Sequence, residues 1–454
     1  MANKSKIIEM TIDKVEFPNK GKGTFEGKEV RVKGGIVGQR VKLSITRRKK
    51  EYWEGKIWEV LEKSPIEDQN GCRHTGICGG CTYQRIAYEK ELELKLNQVQ
   101  ELFSKADLNV TIEEIEGSPD IIGYRNKMEY SFGDEEKDGP LALGLHMKNR
   151  FYEVVNTDDC NIVNPDFTII REITRKFFDN RNYPFYNKRI HKGFLRHLVI
   201  RRANSTGQIL VNLVTSSQEK FNKKEFTNTL LEINNLEGTI TGILHTVNDG
   251  LADTVKADEL DVLYGTDIIR EEILSLKFDI SPFSFFQTNT VGAERLYSIA
   301  REFAGEEKNR VIFDLYSGTG TIAQMMAPVS KSVIGIEIVE EAVEKAKENA
   351  ILNGLDNVRF IADDVFSGVE SLEVKPDLII LDPPRDGIHP KSISKIIDFK
   401  PEKFVYISCN PVTLVRDLKE FNSAGYNIER VKCMDMFPRT PHVETVVLMS
   451  RAKK

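Results

Sequence analysis

The first sixty residues alternate apolar with polar positions in short runs. IIEMTIDKVEF, EVRVKGG, QRVKLSITRRKK and EYWEGKIWEVLE are separated by glycines, and a two-residue period predicts half-buried strands. Five short strands with glycine turns predict a small β-barrel of the oligonucleotide-binding sort over residues 1–63. A loop follows at 64–83. Helical spacing then runs through QRIAYEKELELKLNQVQELFSKA, so one long helix is expected at 84–106, within a connecting segment 84–120 that packs on the C-terminal domain. Residues 121–283 mix strand and turn signals with helical stretches near 166–180 and 219–235, which predicts an α+β middle domain. From 284 to 454 the pattern changes again. VIFDLYSG, SVIGIEI, VRFIADD, DLIILDPP and KFVYISC are short apolar runs separated by helical stretches such as VEEAVEKAKENAILNG. Strands alternating with helices predict an α/β, doubly wound, Rossmann-like sheet.

Composition changes this picture little. A chain of 454 residues with 40% hydrophobic and 29% charged residues is ordinary for a globular protein of several domains. No apolar run approaches the roughly 20 residues of a membrane span, and MANKSKIIEM has no signal-peptide core. A cytoplasmic location, with no membrane and no protein partner, is expected. The net charge of -5 argues against a nucleic-acid partner, but its distribution does not. Residues 1–63 hold 16 Lys and Arg against 9 Asp and Glu. Within them Arg47, Arg48, Lys49 and Lys50 sit beside Tyr52 and Trp53. Charge interleaved with aromatics suits RNA, although a solvated hairpin tip has the same composition. Arg125 and Lys127 in YRNKMEYSF face RNA phosphates or are exposed edge-strand charges.

The run VIFDLYSGTGTIA reads as strand, glycine turn, helix, in which Gly318 and Gly320 let the backbone pass close to a ligand. Glu337 ends the next strand, where a carboxylate accepts from a ribose diol. Asp363 and Asp364 end the third strand, within reach of an adenine amine. Asp382 opens DPPR at the end of the fourth. A nicotinamide dehydrogenase would open similarly. Against it, the turn is not G-x-G-x-x-G, since Ala323 holds the third position, and it lies late in the chain. An acidic residue followed by two prolines is also the pattern of methyltransferases acting on planar centres in nucleic acids. The expected cofactor is S-adenosylmethionine.

The fifth strand ends in YISCNPVTLVRDL and places Cys409 at the ligand-binding edge of the sheet. C5 of uracil is too weak a nucleophile to take a methyl group directly. Thiolate addition at C6 creates an enolate with charge at C5, and a base must later remove the C5 proton. DMFPRTPHVETVVLMS supplies Glu444, preferred because it enters a strand, and His442 as the alternative. Cys433, in the apolar run NIERVKCMDMF, is the competing thiol and reads as core. Cys72, Cys78, Cys81 and the distant Cys160 form a C-x5-C-x2-C plus one set. Four thiolates suit zinc or an iron–sulfur cluster, and spacing favours neither. A radical mechanism needs an open iron, usually from C-x3-C-x2-C, which is absent.

Taken together these motifs carry a resemblance. C-x5-C-x2-C, SFFQTN, DLYSGTGTIA, LDPPRDG, SCNP and DMFPRTPHVE resemble the bacterial RNA (uracil-5-)methyltransferases, especially the iron–sulfur enzymes of large-subunit ribosomal RNA, over essentially the whole chain. The resemblance implies an N-terminal TRAM domain, Cys409 as nucleophile and Glu444 as base. It implies cofactor contacts from Gln287, Tyr316, Glu337, Asp382 and Asp364, and stacking of the flipped uracil on Phe285. It implies a [4Fe–4S] cluster on Cys72, Cys78, Cys81 and Cys160, and 23S rRNA as partner. Tyr316–Ser317 departs from the Phe–Cys of many members but keeps the aromatic wall. The other readings are a tRNA T-loop uridine enzyme, a noncatalytic RNA-binding assembly factor on the same fold, and a cytosine-C5 methyltransferase.

Overall fold

The computed structural model describes residues 6–68, 71–252, 257–308, 310–365 and 374–452; the first five residues of the expected N-terminal module lie outside the described residues. The alternating runs close into one six-stranded sheet of β1 (Ile7–Thr11), β2 (Lys14–Glu16), β3 (Lys20–Phe25), β4 (Lys28–Lys33), β5 (Arg40–Arg48) and β6 (Tyr52–Glu62), in the order β1-β5-β6-β4-β3-β2. Ile8, Met10, Ile12, Val30, Val41 and Leu43 face one core. The sheet has six strands where five are expected. The run IIEMTIDKVEF divides at Ile12, whose N–H donates to Gln39 O at 2.8 Å. KGKGTF forms β3 although it shows no alternation. Side chains at Gly21 and Gly23 would meet Gly34 O at 2.6 Å and Thr11 O at 2.2 Å, so this strand needs glycine for close backbone approach rather than apolar residues.

The connecting segment belongs physically to the C-terminal sheet. Helix α1 (Tyr88–Lys105) buries Val99 and Phe103 in the same cluster as Leu414, Leu418 and Val431. Strand β7 (Ile115–Glu116) pairs in parallel with Cys433 and Met434 at that sheet's edge.

The middle unit is a seven-stranded sheet of β8 (Lys127–Gly133), β9 (Ala142–His146), β10 (Val154–Asn156), β11 (Leu195–Arg202), β12 (Gln208–Thr215), β13 (Thr239–Val247) and β14 (Glu259–Gly265), in the order β10-β9-β8-β11-β12-β13-β14. Helices α2 (Pro165–Asp179) and α3 (Lys223–Leu231) pack Phe167, Ile170, Phe178 and Phe226 into its core. Asn164 caps α2 by accepting from Asp166 N–H at 2.9 Å, with proline at the first helical position. Strand β8 lies inside the sheet, between β9 and β11. The ladder to β9 begins only at Ser131, so Lys127 is paired on the β11 side alone, and its ammonium pairs with Glu129 at 2.6 Å.

The hairpin β15 (Ile269–Ile273) and β16 (Leu276–Ile280) reads in sequence as part of the middle unit. Its Ile269, Ile273, Phe278 and Ile280 instead pack in one core with Leu296, Val343 and Ala346. Two side-chain amides fasten it there: Lys277 N–H donates to Asn353 Oδ1 at 2.8 Å and Asp279 N–H to Asn349 Oδ1 at 2.9 Å.

The last unit alternates α4 (Thr290–Ala304), β17 (Val311–Leu315), α5 (Thr321–Met326), β18 (Ser332–Glu337), α6 (Glu340–Leu352), β19 (Val358–Ala362), β20 (Leu378–Leu381), α7 (Pro390–Asp398), β21 (Lys403–Ser408), α8 (Pro411–Ser423), β22 (Tyr426–Met434) and β23 (Glu444–Arg451). The sheet order is β19-β18-β17-β20-β21-β23-β22-β7. From β17 the chain winds outward one way through β18 and β19, then returns to the other side of β17 at β20. A crevice opens at the strand ends where the winding reverses. β20 is buried along its whole length, as are most residues of β17 and β21, which is why those strands read as continuous apolar runs. No helix among the described residues is long and apolar enough to cross a membrane.

Candidate active site

The glycine turn after β17 builds one wall of the crevice. Tyr316 holds φ 68°, a left-handed conformation uncommon for a bulky residue. It is kept there because the N–H groups of Tyr316 and Ser317 both donate to Ile336 O at 3.1 Å. Glu337 closes the turn from β18, with Oε2 accepting from Gly318 N–H and Oε1 from Val339 N–H, each at 3.0 Å. Each carboxylate oxygen retains a lone pair for a ribose diol. Gly318, at φ 52°, has no heavy atom within 4 Å of where a side chain would project, so the turn opens onto free space. Behind it Asp314 Oδ2 accepts from Ala323 N–H at 2.9 Å, while Oδ1 is buried without a partner among the described residues. Burial, then the charge of Asp382, raises the Asp314 carboxyl well above its ordinary range. An open glycine cradle, a ribose-accepting carboxylate and an orphaned buried acceptor fit an adenosyl cofactor. Exposed Asp364 lies close enough to raise the Tyr316 phenol, which burial and that charge together push up to about 12.

The other wall is the loop before α4. Asn289 caps α4 by accepting from Gly292 N–H at 2.9 Å, and donates to Met436 O at 2.8 Å. Asn126 of the middle unit donates to Gln287 O at 3.0 Å, and buried Arg201 donates to Ser284 O at 2.9 Å. So held, the Gln287 side chain reaches the phenol of buried Tyr297, and Phe285 stands 70% exposed at the mouth. Thr319 Oγ1 donates to Phe285 O at 3.5 Å, which ties the aromatic to the glycine turn.

Pairing of β21 with β23 brings the reactive groups together. Ser408 stands opposite Thr445, and Cys409 and Glu444, the next residue on each side, come close enough for the Glu444 charge to act on the thiol. Burial pushes the Glu444 carboxyl up to about 8; Asp382 raises it and Arg385 opposes the rise. Burial also pushes Asp382 up to about 7. The Cys409 thiol is half-buried and pushed up to about 11, by burial first and then by the charges of Glu444 and Asp382, with Arg385 acting in the opposite sense. His442 is pushed down to about 4 by burial and by Arg385, Lys95 and Arg125, so it is neutral at pH 7. Cys433 is fully buried in the core and contacts Thr445.

The four remaining cysteines converge. Cys72, Cys78 and Cys81 from the loop and Cys160 from the segment before α2 line one small cavity. Gly80 N–H donates to Cys78 Sγ at 3.3 Å and Gln84 Nε2 to Cys81 Sγ at 3.5 Å. Burial raises the thiols of Cys78, Cys81 and Cys160. Among the described residues no three His, Cys, Asp or Glu side chains are arranged to hold a single metal ion. The cysteine loop touches the loop that leads into Glu444: Thr82 and Tyr83 N–H donate to Arg439 O at 2.8 and 2.9 Å.

Sequence reasoning missed Arg385, Tyr297, Asp314 and a buried charge network. Lys95 on α1 is fully buried, 2.7 Å from Glu91 and 2.8 Å from Asp435. Glu91 in turn accepts from Arg439 N–H at 2.7 Å. The available signal was a lysine on the apolar face of α1, one turn from Glu91 and Val99. Arg385 lay inside LDPPRDG without an assigned role.

This crevice defines an S-adenosylmethionine-dependent RNA methyltransferase. Residues 261–452 match the model of the family described as tRNA (Uracil-5-)-methyltransferase. The chain is 51% identical to an RNA methyltransferase of Clostridium tetani, covering 99% of this chain and 98% of that one. It is 49% identical to an RNA methyltransferase of Caldanaerobacter subterraneus, over 99% and 100% of the two chains. The solved tRNA (uracil-54, C5)-methyltransferase of Pyrococcus abyssi, in complex with S-adenosyl-L-homocysteine, superposes with a TM-score of 0.75 at 26% identity, covering 97% of this chain and 100% of that one. The protein belongs to the RNA (uracil-5-)methyltransferase family and is an enzyme of that type.

Proposed function

We propose that the enzyme methylates C5 of a uridine in 23S ribosomal RNA, with Cys409 as covalent nucleophile and Glu444 as base. The observation that supports this reading is the pairing of β21 with β23, at whose end a half-buried thiol lies within reach of the charge of a buried carboxyl. Gln287, Tyr316, Gly318, Glu337, Asp364 and Asp382 hold the cofactor, which supplies an electrophilic methyl group. Phe285 stacks on the flipped uracil. The Cys409 thiolate, favoured by the Arg385 cation, adds to C6, and the C5–C6 electron pair moves to C5 and O4. After C5 has taken the methyl group, Glu444 removes the C5 proton. The C5–C6 double bond re-forms and the C6–S bond breaks, which returns the thiolate. A raised Glu444 carboxyl is a stronger base than an ordinary one, as a carbon acid requires. Glu444 is preferred over His442 because His442 is the weaker base at its lowered value.

In this reading Cys72, Cys78, Cys81 and Cys160 hold a structural [4Fe–4S] cluster. Their convergence on one cavity and the N–H donors directed at two of the sulfurs support it. Purified holoprotein should be brown; a colourless protein with stoichiometric zinc would overturn the assignment. The ribosomal target rests on the likeness to iron–sulfur enzymes of large-subunit RNA and on the basic barrel. A second reading, a tRNA uridine, is favoured by the solved Pyrococcus abyssi enzyme. Labelled S-adenosylmethionine offered with ribosomal and transfer RNA separates them, and incorporation into transfer RNA alone rejects the first. RNA carrying 5-fluorouridine should trap a protein adduct that Cys409→Ala abolishes; an adduct surviving that change removes Cys409 as nucleophile.

A further inference from the structure

The turn between β9 and β10 carries KNRFY at its tip. Phe151 is 62% exposed and Tyr152 44%, with their rings edge-on at 5.2 Å. His146 stacks parallel to Phe151, with ring centroids 6.0 Å apart and planes inclined by 6°. Cations from the 186–191 loop face the same rings: Lys188 Nζ lies 5.5 Å from the centre of Phe151, and the Arg189 guanidinium 3.9 Å from that of Tyr152. Two exposed aromatic rings at a hairpin tip are costly in water unless something covers them. Here they are interleaved with Lys148, Arg150, Lys188 and Arg189; Arg150 pairs with Glu153 at 3.7 Å, and Lys188 Nζ also reaches His146 Nε2 at 3.3 Å. That composition fits a ligand with both a π-face and a negative charge at each unit.

The cysteine loop fastens the first arm of the turn: Lys148 N–H donates to Ile77 O at 2.7 Å and Gly79 N–H to His146 O at 3.0 Å. It also borders a cleft of about 970 Å³ between the N-terminal barrel and the cysteine loop, lined by Arg31, Lys33, Tyr52, His146, Lys148 and His442. Lys33 and Lys148 approach one another closely enough that Lys33, after burial, lowers the Lys148 ammonium. Neither has an ion-pair partner among the described residues, and like charges held together without a counter-ion suit a phosphate between them. The cleft is also lined by His442, which is two residues from Glu444 in the chain. A strand leaving the catalytic pocket can thus follow cationic groups to the aromatic tip.

We infer that Phe151 and Tyr152, flanked by Lys188 and Arg189, form a second base-stacking platform that holds an unpaired nucleotide of the RNA substrate outside the catalytic pocket. The inference rests on the enzyme's acting on RNA, not on which RNA. The platform reads unpaired bases by their faces, so it is tolerant of sequence and demands single-stranded structure beside the target. It gives the cysteine loop a further task, since that loop fastens the platform.

The test uses whichever RNA the wild-type holoenzyme methylates, so failure of the ribosomal assignment appears in wild type and failure of the platform only in the variants. Phe151→Ala and Tyr152→Ala should each raise KM for RNA and Kd by roughly tenfold, the loss expected for one stacked base, with kcat at saturating RNA and KM for S-adenosylmethionine unchanged. Phe151→Leu, which keeps apolar bulk without a π-face, should behave like Phe151→Ala. 4-Thiouridine placed at successive positions beside the target should crosslink to the 147–153 peptide from one unpaired position and not from the target itself. Unchanged KM and Kd in both alanine variants would overturn the inference and leave the tip as a surface for another macromolecule. Recovery of wild-type affinity by Phe151→Leu would equally overturn stacking.

Discussion

Glu444→Gln tests the site through stability as well as chemistry. Wild-type Glu444 has an ordinary value of 4.5 in the unfolded chain and about 8 in the fold. The folded state therefore binds this proton more tightly. The stabilising effect is fully present below pH 4.5 and is lost as pH rises through the folded value near 8. At 1.36 kcal/mol per pH unit, the interval corresponds to up to about 5 kcal/mol. Little is discounted for solvent, because the residue is only 5% exposed. Glutamine keeps the shape and cannot ionise, so its stability lacks this slope. For a unit the size of the methyltransferase domain, about 2–4 °C per kcal/mol makes the variant gain roughly 10 °C in Tm over wild type between pH 5 and pH 9. Thermal melts of both proteins across that range measure it. The same variant should accumulate methylated RNA bound covalently to protein, since the C5 proton is not removed. Parallel melting curves would refute the burial argument, and normal turnover would refute the role as base.

Further outcomes follow from the same geometry. In the proposed mechanism Cys409 and Glu444 both act deprotonated, and both are raised, so kcat/KM should climb with pH from about 6 to about 9; a maximum below about pH 7 in the pH–rate profile would contradict this. Lys95→Met leaves buried Asp435 without its cation and Glu91 with Arg439 alone, which should cost about 3–5 kcal/mol. It should also lower kcat by loosening the loop that leads into Glu444; an unfolding free energy within about 1 kcal/mol of wild type would reject the network. Gly320→Ala drives a methyl group within 2.5 Å of the Phe360 ring at φ 76°, a loss of about 1–3 kcal/mol with a raised KM for S-adenosylmethionine. Gly318→Ala meets no atom within 4 Å and should cost only about 1 kcal/mol of stability. Equal losses in the two variants, read from urea unfolding, would count against the cradle.

Much of the cofactor crevice is legible in the sequence because its parts are local. A glycine turn after an apolar run, an acidic residue at the end of the next and DPP at the end of another each occupy a few consecutive residues. Parallel strands then gather all their C-terminal ends at one edge without further instruction. Asn289 and Asn410 as helix caps are local in the same way, each accepting from an N–H two or three residues on.

What the tertiary structure alone decided is pairing over distance. Nothing in SCNP or PHVET states that Cys409 and Glu444 come near one another; the antiparallel insertion of β23 between β21 and β22 brings them together. Strand β3 escaped the alternation because close backbone packing demanded glycine there. The hairpin at 269–280 looked like its neighbours in sequence and was claimed by the methyltransferase core through two asparagines. Lys95 reads as an ordinary helix charge until Asp435, 340 positions away, is folded against it. The chain thus determined by itself which chemical groups stand at the ends of strands. Only the fold, by bringing distant segments into register and taking water away from them, decided which of those groups meet and how strongly each holds its proton.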